Sequence, residues 1–547
     1  MKISALALLS TLAVLPVFGA SKMQLVNQMT VGAGGAEILS YHNGTIASTA
    51  EGGIQLYSFG AGASITQGAF ADFSGSFGTS SGLSGISSTA IDPMGRGFGL
   101  ATLIPNSNGG EVGQLGFYDT TTGAVLGSIN VGYHPDSVIF SKDGQWAFVA
   151  NEGENGSSGG EQAGSITAIN LGGVTNKGNA VTNAVSNTYD FQGQDLSGLR
   201  DYASKNAPSY LNVEPEYLSY NDGKLYVSLQ ENNGLAQFDV QSGTWSNIWS
   251  LGTREQTIDA SDRDGGLLID DLVHGLPMPD TIGSFRKNGK TYIVTANEGD
   301  AVTDASADLG TVDEARVKDL GKDGNPSVDP ATEAALNLIY GNYKSDAALG
   351  RYTVSIVDGD TDGDGDIDVL TGFGGRGFSI YDDTGALVYD SNSLEALLAS
   401  IDPTIHNAEA EGAFEDGDPM TETLDSRSDN KGPEPEALDV IETFDGTVLM
   451  AIGMERQNGI LLFDLTDPSN PLMLDYVNSF GDGMAAPESL EFFFGEDGKL
   501  YLLAGYEVSG NFGVYEIPAY LVPEPSTYAA LAGLLGLGFV LWRRRRA

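Results

Sequence analysis

The sequence predicts an all-β fold, a seven-bladed β-propeller with long loop insertions on one face, and three observations carry that expectation. Glycine fills 74 of 547 positions, too many turn-formers for a helical protein, while 9% aromatic residues supply a large core. One pattern recurs along the chain: an acid opening a strand, a glycine-containing turn, an apolar strand ending in an acid, then glycine and a further short strand. Cysteine is absent, so neither disulfides nor thiolate zinc sites stabilise the fold, which leaves packing, sheet closure and cations.

Taken in order, residues 1–20 have a lysine at position 2, an apolar stretch from Ile3 to Leu15 and small residues at Gly19 and Ala20, the layout of a secretory signal peptide. Residues 21–520 form the expected propeller body. Its first segment, 23–29, precedes the first repeat and is expected to pair into the last blade and close the ring. Three repeats are clear, at residues 136–170, 216–239 and 436–464. Others begin at Glu37, Glu488 and near Asp280, and a degenerate one near Thr89. Each reads as four strands, and units of ~40 to 50 residues with four strands describe propeller blades. Two packed β-sandwiches are the alternative, which leaves the recurrence of the acids unexplained.

Antiparallel pairing puts the acid that opens the first strand and the acid that closes the second at one end of the hairpin. The pairs are Glu37 with Glu51, Asp136 with Glu152, Glu216 with Glu231, Glu436 with Glu455 and Glu488 with Glu507, and Glu298 closes the second strand of the copy near Asp280. They are expected to converge on one rim. Four insertions, 190–215, 254–279, 299–350 and 401–435, leave from the same rim, and loops longer than ~15 residues are usually functional or disordered. They carry His274, Arg316, His406, Arg427 and Lys431, and Arg376 begins a third strand there. The ligand-binding candidates are therefore Arg376, Arg316, Arg427, Lys431 and His274 with Glu216, Glu298, Glu436 and Glu488. The alternative is that the acids accept main-chain hydrogen bonds and the arginines pair with carboxylates.

Residues 358–368 read DGDTDGDGDID. Counted from Asp360, acids fall at positions 1, 3 and 5 (Asp360, Asp362, Asp364), glycine at 6, an apolar residue at 8 and an acid at 9 (Asp368). This is the order in which an EF-hand-type loop wraps oxygens around Ca²⁺, with Asp366 expected to contribute its main-chain carbonyl. Position 12 is Thr371 in place of a bidentate glutamate, which predicts weak, extracellular-type affinity of ~10⁻⁴ to 10⁻³ M.

With 73 acidic against 27 basic residues, a net charge of −46 excludes nucleic acid and anionic membrane surfaces as partners and favours divalent cations. The tail, residues 521–547, holds Pro523, Glu524 and Pro525, an apolar run over 528–542 and four arginines at 543–546. The run is shorter than the ~20 residues of a stable spanning helix, and the arginines favour a cytoplasmic end. That geometry suits a temporary anchor. The tail resembles the PEP-CTERM sorting signal of Gram-negative bacteria. The resemblance implies recognition by exosortase-type machinery, transient membrane anchoring, and a cell-surface or matrix setting rich in exopolysaccharide.

The stretches HPDSVIFSKDGQWAFVANEGE, TANEGD, the aspartate loop, FGGRGFSIYD, SRSDNKGPEPEALDV and APESLEFF together resemble the choice-of-anchor I family over about residues 24–517. Relatives implied by the resemblance include mesenchyme-specific cell-surface glycoproteins associated with biomineralisation and bacterial proteins labelled alkaline phosphatases. The chain departs from the family pattern after TANEGD, where Ala301 and Val302 replace Ala-Arg. The expected function is calcium-dependent engagement of a polymer, mineral or protein ligand through the acidic rim. The alternative is a calcium-dependent phosphomonoesterase in which a cation such as Arg316 or Arg376 neutralises the phosphoryl oxygens. No Ser-His-Asp order, histidine-rich zinc site or spaced glycosidase carboxylate pair is present, so no catalytic residue is assigned.

Overall fold

The computed structural model describes residues 23–32, 34–78, 81–106, 110–153, 162–202, 209–301 and 313–518. The expected signal peptide and the sorting tail lie outside the described residues. Among the described residues no helix is long and apolar enough to cross a membrane.

Among the described residues, seven antiparallel sheets of four or five strands follow one another along the chain. Their first strands are Leu39–His42, Thr89–Ile91, Pro135–Phe140, Leu218–Asn221, Ile282–Lys287, Pro435–Glu442 and Pro487–Phe494. Each of these packs on the first strand of the next sheet, and the last packs on the first, so the arrangement is a propeller-like circle around a central channel. Gln24–Thr30 pairs antiparallel with Asn511–Ile517, which knits the start of the body into the final sheet as expected.

Local sequence explains the elements. Asn43-Gly44, Asp222-Gly223 and Asn288-Gly289 all have positive φ at both positions, the conformation that two-residue hairpin turns require and that these residue pairs tolerate. Second and third strands such as Trp146–Asn151 (WAFVAN) and Ile460–Asp464 (ILLFD) are almost wholly buried because a neighbouring sheet covers each face. Fourth strands such as Val185–Asp190 are mostly polar and largely exposed. Burial thus peaks at the middle strands of each sheet and falls toward its outer edge.

The insertions are not bare loops. Arg254–Ile258 and Asp271–Leu276 form a hairpin extended in parallel by Thr371–Phe373, which joins two insertions about a hundred residues apart. Helices Pro330–Tyr340, Glu395–Ile401 and Ala410–Asp416 appear here, against the purely β expectation. Ile258, Val273, Val317, Leu320, Tyr352, Val354 and Ile367 form a core of their own, so the insertions make a cap with its own apolar interior.

Candidate functional site

The seven first strands line a cavity of about 530 Å³ that takes in Glu488, while Glu37, Asp136, Glu216, Asp280 and Glu436 stand one residue or so before the lining, at the end of the channel where their charges act on one another. Burial heads the causes that push Glu216 and Glu436 well above the ordinary carboxylate range. Glu152, Glu231 and Asp136 then add to Glu216, and Glu455, Glu488 and Glu298 to Glu436. Burial, then Glu455, pushes Glu488 up, and burial, then Glu298, pushes Asp280 up. Glu37 rises to about 8 and Asp136 to about 7, in each case first through burial and then through a neighbouring carboxylate. Convergence of the acids on one rim is therefore a property of the structure. Glu51 is the exception: it is exposed and contributes to none of these shifts. The second sheet, which opens at Thr89, leaves a gap in the ring of acids.

Asp280, Glu298 and Glu436 bring carboxylate oxygens within 4.8 Å of one another. Glu436 Oε2 and Glu231 Oε2 are buried with no hydrogen-bond partner. Tyr217, which sequence reasoning passed over, lines the same cavity. Its phenol is pushed well up by burial and then by Asp280, Glu488, Asp136 and Glu436, acids of four different sheets. A hydroxyl directly after an acid in one repeat was the only available signal.

The candidate cations divide sharply. Lys431 reaches the mouth: its Nζ lies 2.8 Å from Glu298 Oε1 and 3.2 Å from Glu434 Oε2. Arg427 stands behind it, 2.5 Å from Glu434 and 3.2 Å from Glu409. Arg316 is held away by Asp429 at 2.5 Å and by the Arg351 carbonyl. His274 lies on the Asp271–Leu276 strand with Nδ1 3.5 Å from the Thr253 hydroxyl, apart from the ring of acids.

Arg376 is the main correction. The guanidinium is 0% exposed. It donates to Glu395 Oε1 (2.5 Å) and to the carbonyls of Asp259 (3.0 Å), Ser428 (3.0 Å) and Asn430 (2.5 Å). It closes over a glycine that must stay a glycine, because a Cβ on Gly432 would lie 2.9 Å from Arg376 Cδ. Arg376 is thus the staple that joins two insertions and the Glu395–Ile401 helix, not a ligand-facing cation. Arg200 plays a matching part with Asp313 (2.5 Å), Asp358 (2.7 Å) and the Glu231 carbonyl (3.0 Å).

In the aspartate loop, Asp360 accepts main-chain N–H groups from Gly363 (2.7 Å) and Gly365 (3.0 Å), and Asp368 accepts those of Thr361 (2.7 Å) and its hydroxyl (2.6 Å). Asp364 accepts the Asp366 N–H at 3.1 Å and Asp362 the Asp364 N–H at 3.2 Å. Asp360, Asp362 and Asp368 cluster within 4.8 Å, and Asp329, Asp366 and Asp368 form a second such cluster. Asp366 was expected to offer a carbonyl, whereas here its carboxylate joins Asp329, an acid supplied by the N-cap of the Pro330–Tyr340 helix. Incomplete hydration, then Asp364, pushes Asp366 up to about 6. The donor set is oxygen throughout, which fits Ca²⁺.

The match of the choice-of-anchor I domain model to residues 37–468 settles the kinship. The chain belongs to the choice-of-anchor I domain family. Residues 521–546 match the PEP-CTERM protein-sorting motif. This choice-of-anchor I protein is therefore exported and anchored at the cell surface, with recognition by exosortase machinery implied by the motif. Gigasin-3a of Magallana gigas is 40% identical over 137 residues, 24% of this chain and 46% of that protein. The mesenchyme-specific cell surface glycoprotein of Strongylocentrotus purpuratus is 29% identical over 247 residues, 41% of this chain and 30% of that protein. The chain thus spans less than half of either relative. Among solved structures, Kuenenia stuttgartiensis hydrazine synthase aligns over 89% of this chain and 96% of its own at 11% identity, with a TM-score of 0.42. The Myceliophteria thermophila Cps50 (Swd1) β-propeller domain aligns over 91% and 100% at 7% identity, with a TM-score of 0.40.

Proposed function

We propose that this protein is a seven-bladed propeller, displayed outside the cell, that binds Ca²⁺ in the 360–368 loop and engages its ligand through the ring of carboxylates at the channel mouth. Residues 1–20 act as the export signal and 521–547 as a temporary, cleavable anchor. One observation carries the reading: the mouth gathers carboxylates with unpartnered oxygens, while most of the nearby guanidinium groups are already bonded within the cap. Such a mouth attracts cations. Its ligand is a divalent cation, alone or as the bridge to an anionic extracellular polysaccharide, a mineral face or an acidic protein. In the loop, Asp360, Asp362, Asp364, Asp366 and Asp368 hold Ca²⁺ with help from Asp329, and the ion's role is to brace the cap.

A second reading, a calcium-dependent phosphomonoesterase, is favoured by one observation. Asp280, Glu298 and Glu436 converge within 4.8 Å beside Lys431, so metal-holding oxygens and a phosphate-neutralising ammonium lie together. Hydrolysis of p-nitrophenyl phosphate by the purified protein, with calcium and with chelator, separates the two. The binding reading expects no calcium-dependent turnover and calcium-dependent retention on an anionic polysaccharide matrix. Turnover that disappears in Lys431→Ala would establish the esterase.

A further inference from the structure

Away from the channel mouth, inside the cap, Asp259, His406 and Asp425 offer ligand atoms that all lie within 4.8 Å of one another. They are 0%, 0% and 6% exposed. Asp259 follows the Arg254–Ile258 strand, while His406 and Asp425 belong to the insertion that precedes the sixth sheet and are tied together by the Asp425 N–H donating to the His406 carbonyl at 2.8 Å. The cluster therefore joins two insertions that share no continuous chain.

The imidazole is the telling member. Its Nε2 lies 3.0 Å from Asp259 Oδ2, and its Nδ1 has no hydrogen-bond partner although the ring is fully excluded from water. Protein groups thus satisfy one nitrogen of the two. Asp425 accepts the Ser428 hydroxyl at 2.6 Å. Asp264 and Asp259 both repel it. The Arg376 guanidinium meets Asp259 through its carbonyl oxygen and spends its charge on Glu395. One imidazole is shared among buried carboxylates, which is a costly arrangement without a further positive charge. Asp259 Oδ2 also accepts the Leu268 N–H at 2.8 Å, so with Nε2 donating to Asp259 the unpartnered Nδ1 is the nitrogen that carries a free lone pair for an ion.

We propose that Asp259, His406 and Asp425 bind a divalent transition-metal cation that clamps the two insertions together. One imidazole and two carboxylates suit zinc, manganese or ferrous iron, whereas calcium takes oxygen ligands alone. The cap then holds two ions of different chemistry, Ca²⁺ in the aspartate loop and a nitrogen-ligated metal behind Arg376.

Cobalt(II) is the probe, titrated into chelator-stripped full-length protein with calcium in excess to occupy oxygen-only sites. The wild type is expected to bind Co²⁺ with histidine-nitrogen couplings in pulsed electron paramagnetic resonance. Asp425→Asn keeps size and the Ser428 contact, and is expected to weaken binding by about 10- to 100-fold. His406→Gln is expected to remove the nitrogen couplings. They are retained in His134→Gln, which removes an imidazole whose Nδ1 lies 2.6 Å from Glu152 Oε2 beside the mouth acid Asp136, and Glu436→Gln leaves the nitrogen-coupled Co²⁺ affinity unchanged. The proposal is overturned by no Co²⁺ bound above excess calcium, by wild-type affinity in Asp425→Asn, or by couplings that vanish in His134→Gln instead. Should His406→Gln fail to fold, the Asp425→Asn affinity decides. Loss of binding in Glu436→Gln alone would assign the ion to the mouth, leaving the proposed function standing and this clamp refuted.

Discussion

Cap and channel mouth are built from the same charged residue types and treat them in opposite ways. In the cap nearly every charge meets a counter-charge or a main-chain group: Arg376 with Glu395, Arg316 with Asp429, Arg351 with Asp262 and Asp429, and the loop aspartates with N–H groups. At the mouth, burial and then neighbouring carboxylates push Glu216, Asp280, Glu436 and Glu488 up, and Glu436 leaves an oxygen unpartnered. Paired charge holds the cap together, while unpaired charge at the mouth costs stability until a cation arrives. Removing a charge should therefore hurt one region and relieve the other.

The largest effect is expected at Arg376. Arg376→Ala strips the partner from Glu395, which is 0% exposed, and frees three carbonyls that the guanidinium satisfied. The cost should be about 3 to 5 kcal/mol, read from the denaturant midpoint. A loss below about 1 kcal/mol, the range of an exposed pair, would break the contrast at its strongest point.

That residue also marks where the sequence stops being readable. The sheets were legible because Asn-Gly and Asp-Gly turns and apolar alternation are local, and the rim because antiparallel pairing fixes which end of a hairpin an acid occupies. Arg376 with Asp259, or Arg200 with Asp358, joins positions more than a hundred residues apart, and no spacing rule encodes such pairs. Asp329 was missed for the same reason, since it enters the aspartate loop from a helix N-cap outside the motif.

Calcium should raise the melting temperature by stabilising the folded state. At concentrations about 10- to 100-fold above the dissociation constant, linkage gives roughly 1.4 to 2.7 kcal/mol. Asp360→Ala with Asp364→Ala should remove most of it, and Asp329→Asn a smaller part. An undiminished increase in the double variant would move the ion to the mouth and erase the distinction between the two acidic regions.

At the mouth the sign reverses. Glu436→Gln should stabilise the cation-free protein at pH 8 by on the order of 1 kcal/mol, because it removes one of several repelling carboxylates. The pH profile carries the same sign. Glu37 at about 8, and Asp136 and Glu455 at about 7, hold protons in the folded state that the unfolded chain releases. Their contribution is full below the ordinary carboxylate range and is lost as pH rises toward 8. Glu434 runs the other way. Burial works against its charge, but Lys431, Arg427 and Arg456 hold it down at about 2, so its contribution is present above 4.5 and is lost as pH falls toward 2. Cation-free protein should therefore melt highest at mildly acidic pH, with divalent cation flattening the alkaline limb. Destabilisation by Glu436→Gln would mean that the mouth acids are structural partners after all.

The smallest expected effect bounds the argument. Arg286 and Asp222 form a 2.5 Å ion pair between the fourth and fifth sheets with geometry as close as that of Arg376 and Glu395, but their side chains are 48% and 56% exposed. Water already solvates both groups, so the pair gains little Coulomb energy, spends side-chain entropy and is screened by salt. Arg286→Ala should change stability by less than about 0.5 kcal/mol. If it cost as much as Arg376→Ala, proximity of charge rather than exclusion of water would be what separates cap from mouth. Both regions would then have to be explained by how many opposite charges lie nearby, and the unpartnered oxygens at the mouth would lose their special meaning.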